Sequence, residues 1–130
     1  MLIVAGADIA AELVRQHNLD DTFYVFNLGL VAELHKGWSD CLPRVTPFYA
    51  VKCNPDRGML AMLAAQGAGF DCASAAEIDL ILGLGVPANR IIYAHPCKPL
   101  SHIRHAAKVG LLMLYFSQDA VATADKDCQA

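Results

Sequence analysis

The chain has 130 residues, 55% of them hydrophobic and 18% charged, with a formal net charge of −3. A chain this apolar buries a core, and its slight acidity argues against nucleic acid or an anionic membrane as a partner. No apolar run approaches the roughly 18–20 residues that span a bilayer, and the opening MLIVAGADIAAELVRQ lacks a basic segment and carries Asp8 and Glu12 early, which makes it a poor signal peptide.

Taken in chain order, residues 7–16 read as a helix with Ile9, Leu13 and Val14 on one face. The aromatic and β-branched run TFYVFN (22–27) predicts a strand. Residues 28–38 turn helical, with Leu30, Leu34 and Trp38 spaced by four. RVTPFYAVK (44–52) is a run of strand formers that ends at Asn54-Pro55. Residues 59–66 are helical, and 69–73 (GFDCA) are short and strand-like. The helix over 74–84 opens on Ser74-x-x-Glu77, a capping box, and Gly85 closes it ahead of Pro87. Residues 90–94 (RIIYA) predict a buried strand, 101–109 a helix ended by Gly110, and 111–116 a last apolar strand. Residues 117–130 are small and polar, without periodicity, and read as a frayed or disordered tail.

Strands alternating with helices through short connections mean a parallel α/β sheet with crossover helices. The spacing of the strand-like runs suits the βα units of either an open doubly wound sheet or part of a barrel, since a whole eight-stranded barrel takes about 250 residues. The chain divides accordingly into an N-terminal helix, entry strand and helix (1–40), a partial barrel (41–116) and a divergent tail (117–130).

Lys52 is the first candidate for chemistry. It closes a strand of Pro47, Phe48, Tyr49, Ala50 and Val51, at the end of the sheet where α/β proteins keep their functional groups. Apolar neighbours there would partly desolvate the amine and free it to attack an aldehyde; on spacing alone, a surface lysine just past a strand is the alternative. Asp71 lies in the next strand-like unit, placed to balance charge or orient a cofactor, or else to be an ordinary polar strand end. Glu77 occupies the capping position, reaching back to the Ser74 N–H, and a cap beside a site also lines it. His95-x-Cys97 has no second ligand pair, so it does not make a zinc site, and His95 is expected at the mouth of the sheet. His102 and His105 lie three apart on a helix as solvated residues. Cys41, Cys53, Cys72, Cys97 and Cys128 form no CxxC pair, which fits a reduced, cytoplasmic setting. There is no GxGxxG, GxxxxGK[ST] or GxSxG motif.

Against this background, RVTPFYAVKCNP (44–55) resembles the cofactor-lysine segment of eukaryotic ornithine decarboxylases. The resemblance continues through GFDCASAAEI (69–78), LGVPANRIIYAHPCKP (84–99) and AAKVG (106–110), and DTFYVFNLGLVAEL upstream is similar to the family's entry strand and first helix. Diaminopimelate and arginine decarboxylases share the architecture, but FDCAS followed by PCKP points to the ornithine branch. Several linked motifs in order, over roughly residues 20–112, are far more specific than any one of them.

The resemblance implies a (β/α)8 barrel of the alanine-racemase type, of which this chain would hold about half, with TFYVFN belonging to a C-terminal β-domain. It implies pyridoxal 5'-phosphate as cofactor, carried by Lys52, with Ala50 against its ring and Asp71 and Glu77 lining its pocket. The reaction implied is loss of CO₂ from L-ornithine to give putrescine, in a cytoplasmic homodimer. The family has Asn where His95 stands in AHPCKP, and the sequences part after Gly110. The family's phosphate-binding glycine loop, the acidic partner of the ring nitrogen, the ring-stacking histidine and the partner subunit's catalytic cysteine match nothing in these residues. The chain is therefore expected to be a truncated form, inactive alone. Two other outcomes follow from the same resemblance: a non-catalytic regulator that binds antizyme, as inactive relatives do, or a non-functional fragment with exposed sheet edges.

Overall fold

The structure is a computed structural model that describes residues 6–18, 20–111, 113 and 114. Helix α1 spans Gly6–His17 and α2 Leu28–Cys41. Then strand and helix alternate: β1 (Phe48–Ala50), a 3-10 turn (Val51–Cys53), α3 (Arg57–Ala65), β2 (Gly69–Cys72), α4 (Ala75–Leu82), a second 3-10 turn (Ala88–Arg90), β3 (Ile91–Tyr93), α5 (Leu100–Lys108) and β4 (Met113–Leu114).

Local chemistry starts and stops these elements. The side chains of Asn27, Asp56 and Ser74 each accept a backbone N–H from the first turn of the helix they precede, at 3.1, 2.9 and 3.3 Å. The N–H groups at a helix start have no intrahelical partner, and a short polar side chain supplies one. After α4 and α5 the chain reverses through Gly85 (φ 82°) and Gly110 (φ 77°). Side chains rarely adopt that backbone conformation, so glycine is the residue that brings each helix back to the sheet.

The sheet is wholly parallel and its order is β1-β2-β3-β4. This resolves the choice that the strand spacing leaves open. A doubly wound sheet reverses its strand order midway and carries helices on both faces. Here each strand joins the outer edge of the one before it, and crossovers of constant hand keep their helices on one side. The architecture is that of a (β/α) barrel segment.

Burial follows the same division. In β2 and β3 the residues alternate: Phe70, Cys72, Ile91 and Tyr93 are buried, while Asp71 and Ile92 between them are half-buried. The buried set packs with Leu60 and Leu63 of α3, Ile78 and Ile81 of α4 and Ala106 of α5 into one core. On the other face the ring of Phe48 lies over Gly69, where a Cβ would meet it at 2.5 Å. Arg90 ties the third unit to the first: its Nη2 donates to the carbonyls of Ala64 (2.8 Å) and Ala68 (2.6 Å), and its Nε to Ala68 (3.1 Å).

Two expectations are corrected. Residues 22–27 form no strand; Tyr24, Val25 and Phe26 are exposed in extended chain. A strand is defined by the neighbour that takes up its backbone hydrogen bonds, and these residues have β-propensity but no such neighbour among the described residues. The strand read over 44–52 is only Phe48–Ala50, although the Pro47 carbonyl still accepts the Gly69 N–H at 2.9 Å. Pro47 has no N–H to donate, and after Ala50 the chain tightens into the 3-10 turn. The tail read over 117–130 lies outside the described residues.

Candidate functional site

The C-terminal ends of β1 and β2 gather the residues singled out by the sequence. Ala50, the last residue of β1, is the register partner of Asp71, which in turn pairs with Ile92 of β3. Register partners in a parallel sheet share a face. Ala50, Asp71 and Ile92 therefore form a row on the face without helices, a methyl and a branched alkyl group flanking a carboxylate.

Lys52 stands two residues beyond Ala50, in the 3-10 turn, and is exposed. The partial desolvation expected of it is not found. Its neighbour Val51 is fully buried and takes the inward position, so the turn presents Lys52 to solvent. The amine is consequently open to a small molecule that reaches this end of the sheet.

Glu77 lies on the first turn of α4, which begins just past the end of β2. Its N–H donates to Ser74 Oγ, and its Oε2 accepts the N–H of Ala73 at 2.5 Å. The capping box thus forms one residue earlier than expected, at Ala73 instead of Ser74. Cys72 reports on both carboxylates. Burial pushes its thiol up to about 12, and Glu77 and then Asp71 add to the effect, because a negative charge nearby opposes a thiolate.

At the end of β3, His95 Nδ1 accepts the N–H of Cys97 (3.0 Å), which closes a tight loop. Lys98 Nζ donates to the His95 carbonyl (2.6 Å) and lies 5.2 Å from the centroid of the buried Tyr93 ring. Desolvation lowers the pKa of Lys98 and raises that of Tyr93. His102 and His105, expected to be solvated, are half-buried. His105 Nε2 meets Asp79 Oδ1 at 2.7 Å, joining α5 to α4, and His102 Nδ1 is enclosed. Helical spacing placed both on a polar face, where Asp79 of the neighbouring α4 meets His105.

Sequence reasoning missed a second group beneath Lys52. Tyr49 Oη donates to the carbonyl of Asn54 at 3.3 Å and lies 3.8 Å from Met59 Sδ. Asn54 Nδ2 approaches the same sulfur at 3.4 Å, and its Oδ1 accepts the Asp56 N–H at 3.0 Å. Asn54-Pro55 reads in the sequence as a strand stop; an asparagine that bonds its own backbone two residues on is the signal for such a turn.

Known proteins share this fold. The profile of a family described as "Pyridoxal-dependent decarboxylase, pyridoxal binding domain" matches residues 28–123. The chain is similar to the ornithine decarboxylase of Mus musculus, 56% identical over 99 residues, which are 76% of this chain and 22% of that protein. It therefore spans about a fifth of the length of this relative. Among solved structures it resembles the ornithine decarboxylase of Entamoeba histolytica (TM-score 0.85, 32% identity, covering 92% of this chain and 38% of that one). It also resembles the arginine decarboxylase of Paramecium bursaria Chlorella virus bound to agmatine (TM-score 0.81, 34% identity, 85% and 30%).

Proposed function

Because the chain belongs to the pyridoxal-dependent decarboxylases, whose pyridoxal-binding domain matches it over residues 28–123, we propose that it carries the cofactor-lysine side of an enzyme that decarboxylates L-ornithine to putrescine. The observation that carries this reading is the exposed amine of Lys52 at the C-terminal end of β1, next to the Ala50–Asp71 row. Catalytic groups of (β/α) barrels lie at that end of the strands.

The donor set fits pyridoxal phosphate. Lys52 offers a primary amine to its aldehyde, Ala50 leaves room on the open face for a flat ring, and we assign Asp71, in register with Ala50, and Glu77, at the rim where β2 runs into α4, to the border of its pocket. When bound, the cofactor supplies a sink for the electron pair left on the α-carbon as CO₂ departs. The chain's own residues supply placement. Lys52 would hold the cofactor by its aldehyde, its unprotonated Nζ condensing there with loss of water, and the same nitrogen would be available to move a proton. Asp71 sets the sign of the field on the open face. Glu77 holds the Ala73 N–H and so fixes the rim between β2 and α4. We further propose a cytoplasmic location, and the 130 residues alone are expected to trap cofactor without forming putrescine.

Reductive trapping tests the reading. The chain is incubated with pyridoxal phosphate, reduced with borohydride and mapped by peptide mass spectrometry. Stoichiometric label confined to Lys52 is expected. Label spread evenly over Lys36, Lys52, Lys98, Lys108 and Lys126 would overturn it.

A further inference from the structure

The Lys52 turn is closed from below. Tyr49 lies in the middle of β1, in register with the buried Phe70, and packs against the core on the helix side of the sheet. Its hydroxyl reaches past the turn to the Asn54 carbonyl, so one hydrogen bond spans the segment that contains Lys52. The far end of the segment is tied to α3: Asn54 Nδ2 approaches Met59 Sδ, Asn54 Oδ1 takes the Asp56 N–H, and Asp56 Oδ1 caps α3 through the Met59 N–H at 2.9 Å.

We propose that Tyr49 is a positioning residue for Lys52: its hydroxyl clamps the Val51–Cys53 turn and sets where the lysine amine stands over the open sheet face. This rests on the reading of Lys52 as the cofactor lysine. The argument is one of restraint. Lys52 is exposed, and no hydrogen bond from its own side chain is needed to fix its backbone. The turn has three residues, a single 3-10 turn whose i→i+3 bonds have poorer geometry than those of an α-helix. Its shape therefore depends also on what grips its two ends. Val51 is gripped by burial in the core, and Asn54, just past the turn, by Tyr49. Removing the hydroxyl leaves the aromatic packing in place and releases only the second grip.

The test compares reductive trapping by pyridoxal phosphate at Lys52 with that at the exposed Lys108 of the same molecule, in the full chain and in Tyr49→Phe. The ratio is independent of reagent concentration and of protein loading. In the unmodified chain Lys52 is expected to dominate; equal labelling there would overturn the cofactor-lysine reading and this inference with it. With Lys52 dominant, Tyr49→Phe is expected to lower the ratio about tenfold, the size of effect that a released hydrogen bond allows. An unchanged ratio would overturn the clamp while leaving the cofactor-lysine reading intact. Ile81→Val is the control for general loosening, because it thins the buried core without touching the turn. If Tyr49→Phe melts earlier, the two variants are compared at temperatures of equal folded fraction. A fall in the ratio confined to Tyr49→Phe supports the clamp, and an equal fall in Ile81→Val overturns it.

Discussion

Ala50 and Asp71 are register partners across β1 and β2, so a methyl and a carboxylate stand side by side on the sheet face opposite the core that α3, α4 and α5 share. The opposite face of the same strands is closed by Phe70, Cys72 and the helices over them. A change on one face should therefore alter ligand capture, and a change on the other should alter stability.

Lys52→Ala and Phe70→Ala separate the two faces. Lys52 is exposed, and its truncation should leave the urea unfolding free energy within about 0.5 kcal/mol of the parent while abolishing the pyridoxal phosphate adduct on that peptide. Phe70 is fully buried, and its truncation should cost about 3–5 kcal/mol through lost burial and the cavity left behind.

Gly69→Ala is expected to destabilise by about 1–3 kcal/mol through overpacking, because the new methyl would stand 2.5 Å from the Phe48 ring. Combined with Phe48→Ala, which removes that ring, the same substitution should cost much less. A double-mutant cycle by urea denaturation measures the coupling, and simple additivity would show that the ring swings away freely.

Arg90→Ala should cost about 2 kcal/mol, the range for hydrogen bonds to a charged group, because the guanidinium serves the carbonyls of Ala64 and Ala68 where α3 hands over to β2. Arg90→Lys should recover only part of this, since an ammonium cannot reproduce the planar fork that meets both carbonyls. Equal stability of Arg90→Lys and the parent would argue against the bidentate arrangement.

Stability should fall in alkali, with Cys72 as a main cause. In the unfolded chain a thiol ionises near its ordinary value of about 8.5, whereas folded Cys72 holds its proton up to about 12. Across that window the native state binds more protons than the unfolded state, so unfolding becomes easier as pH rises; below the window Cys72 contributes no slope. Tyr93, whose pKa burial also raises, acts in the same direction at higher pH. Urea midpoints over a pH series should show the decline, shallower in Cys72→Ala. In mildly alkaline buffer iodoacetamide should modify the exposed Cys41, Cys53 and Cys97, and Cys72 only after denaturation.

The sequence by itself determined the alternation of strands and helices, because periodicity, Ser74-x-x-Glu77, Gly85 and Gly110 act over a single turn of chain. It also carried Lys52, Asp71 and Glu77 as candidates and the family they suggest, since those motifs are contiguous. Three things were decided only by the tertiary structure. TFYVFN has strand-forming side chains but no partner for its backbone among the described residues, and a propensity becomes a strand only where a neighbour accepts its hydrogen bonds. The choice of a barrel segment over a doubly wound sheet lies in which edge each new strand joins, a relation between units that no single unit encodes. The exposure of Lys52 and the grip of Tyr49 on its turn depend on Val51 filling the core and on Asn54 and Met59 meeting in space, contacts set by packing between β1 and α3.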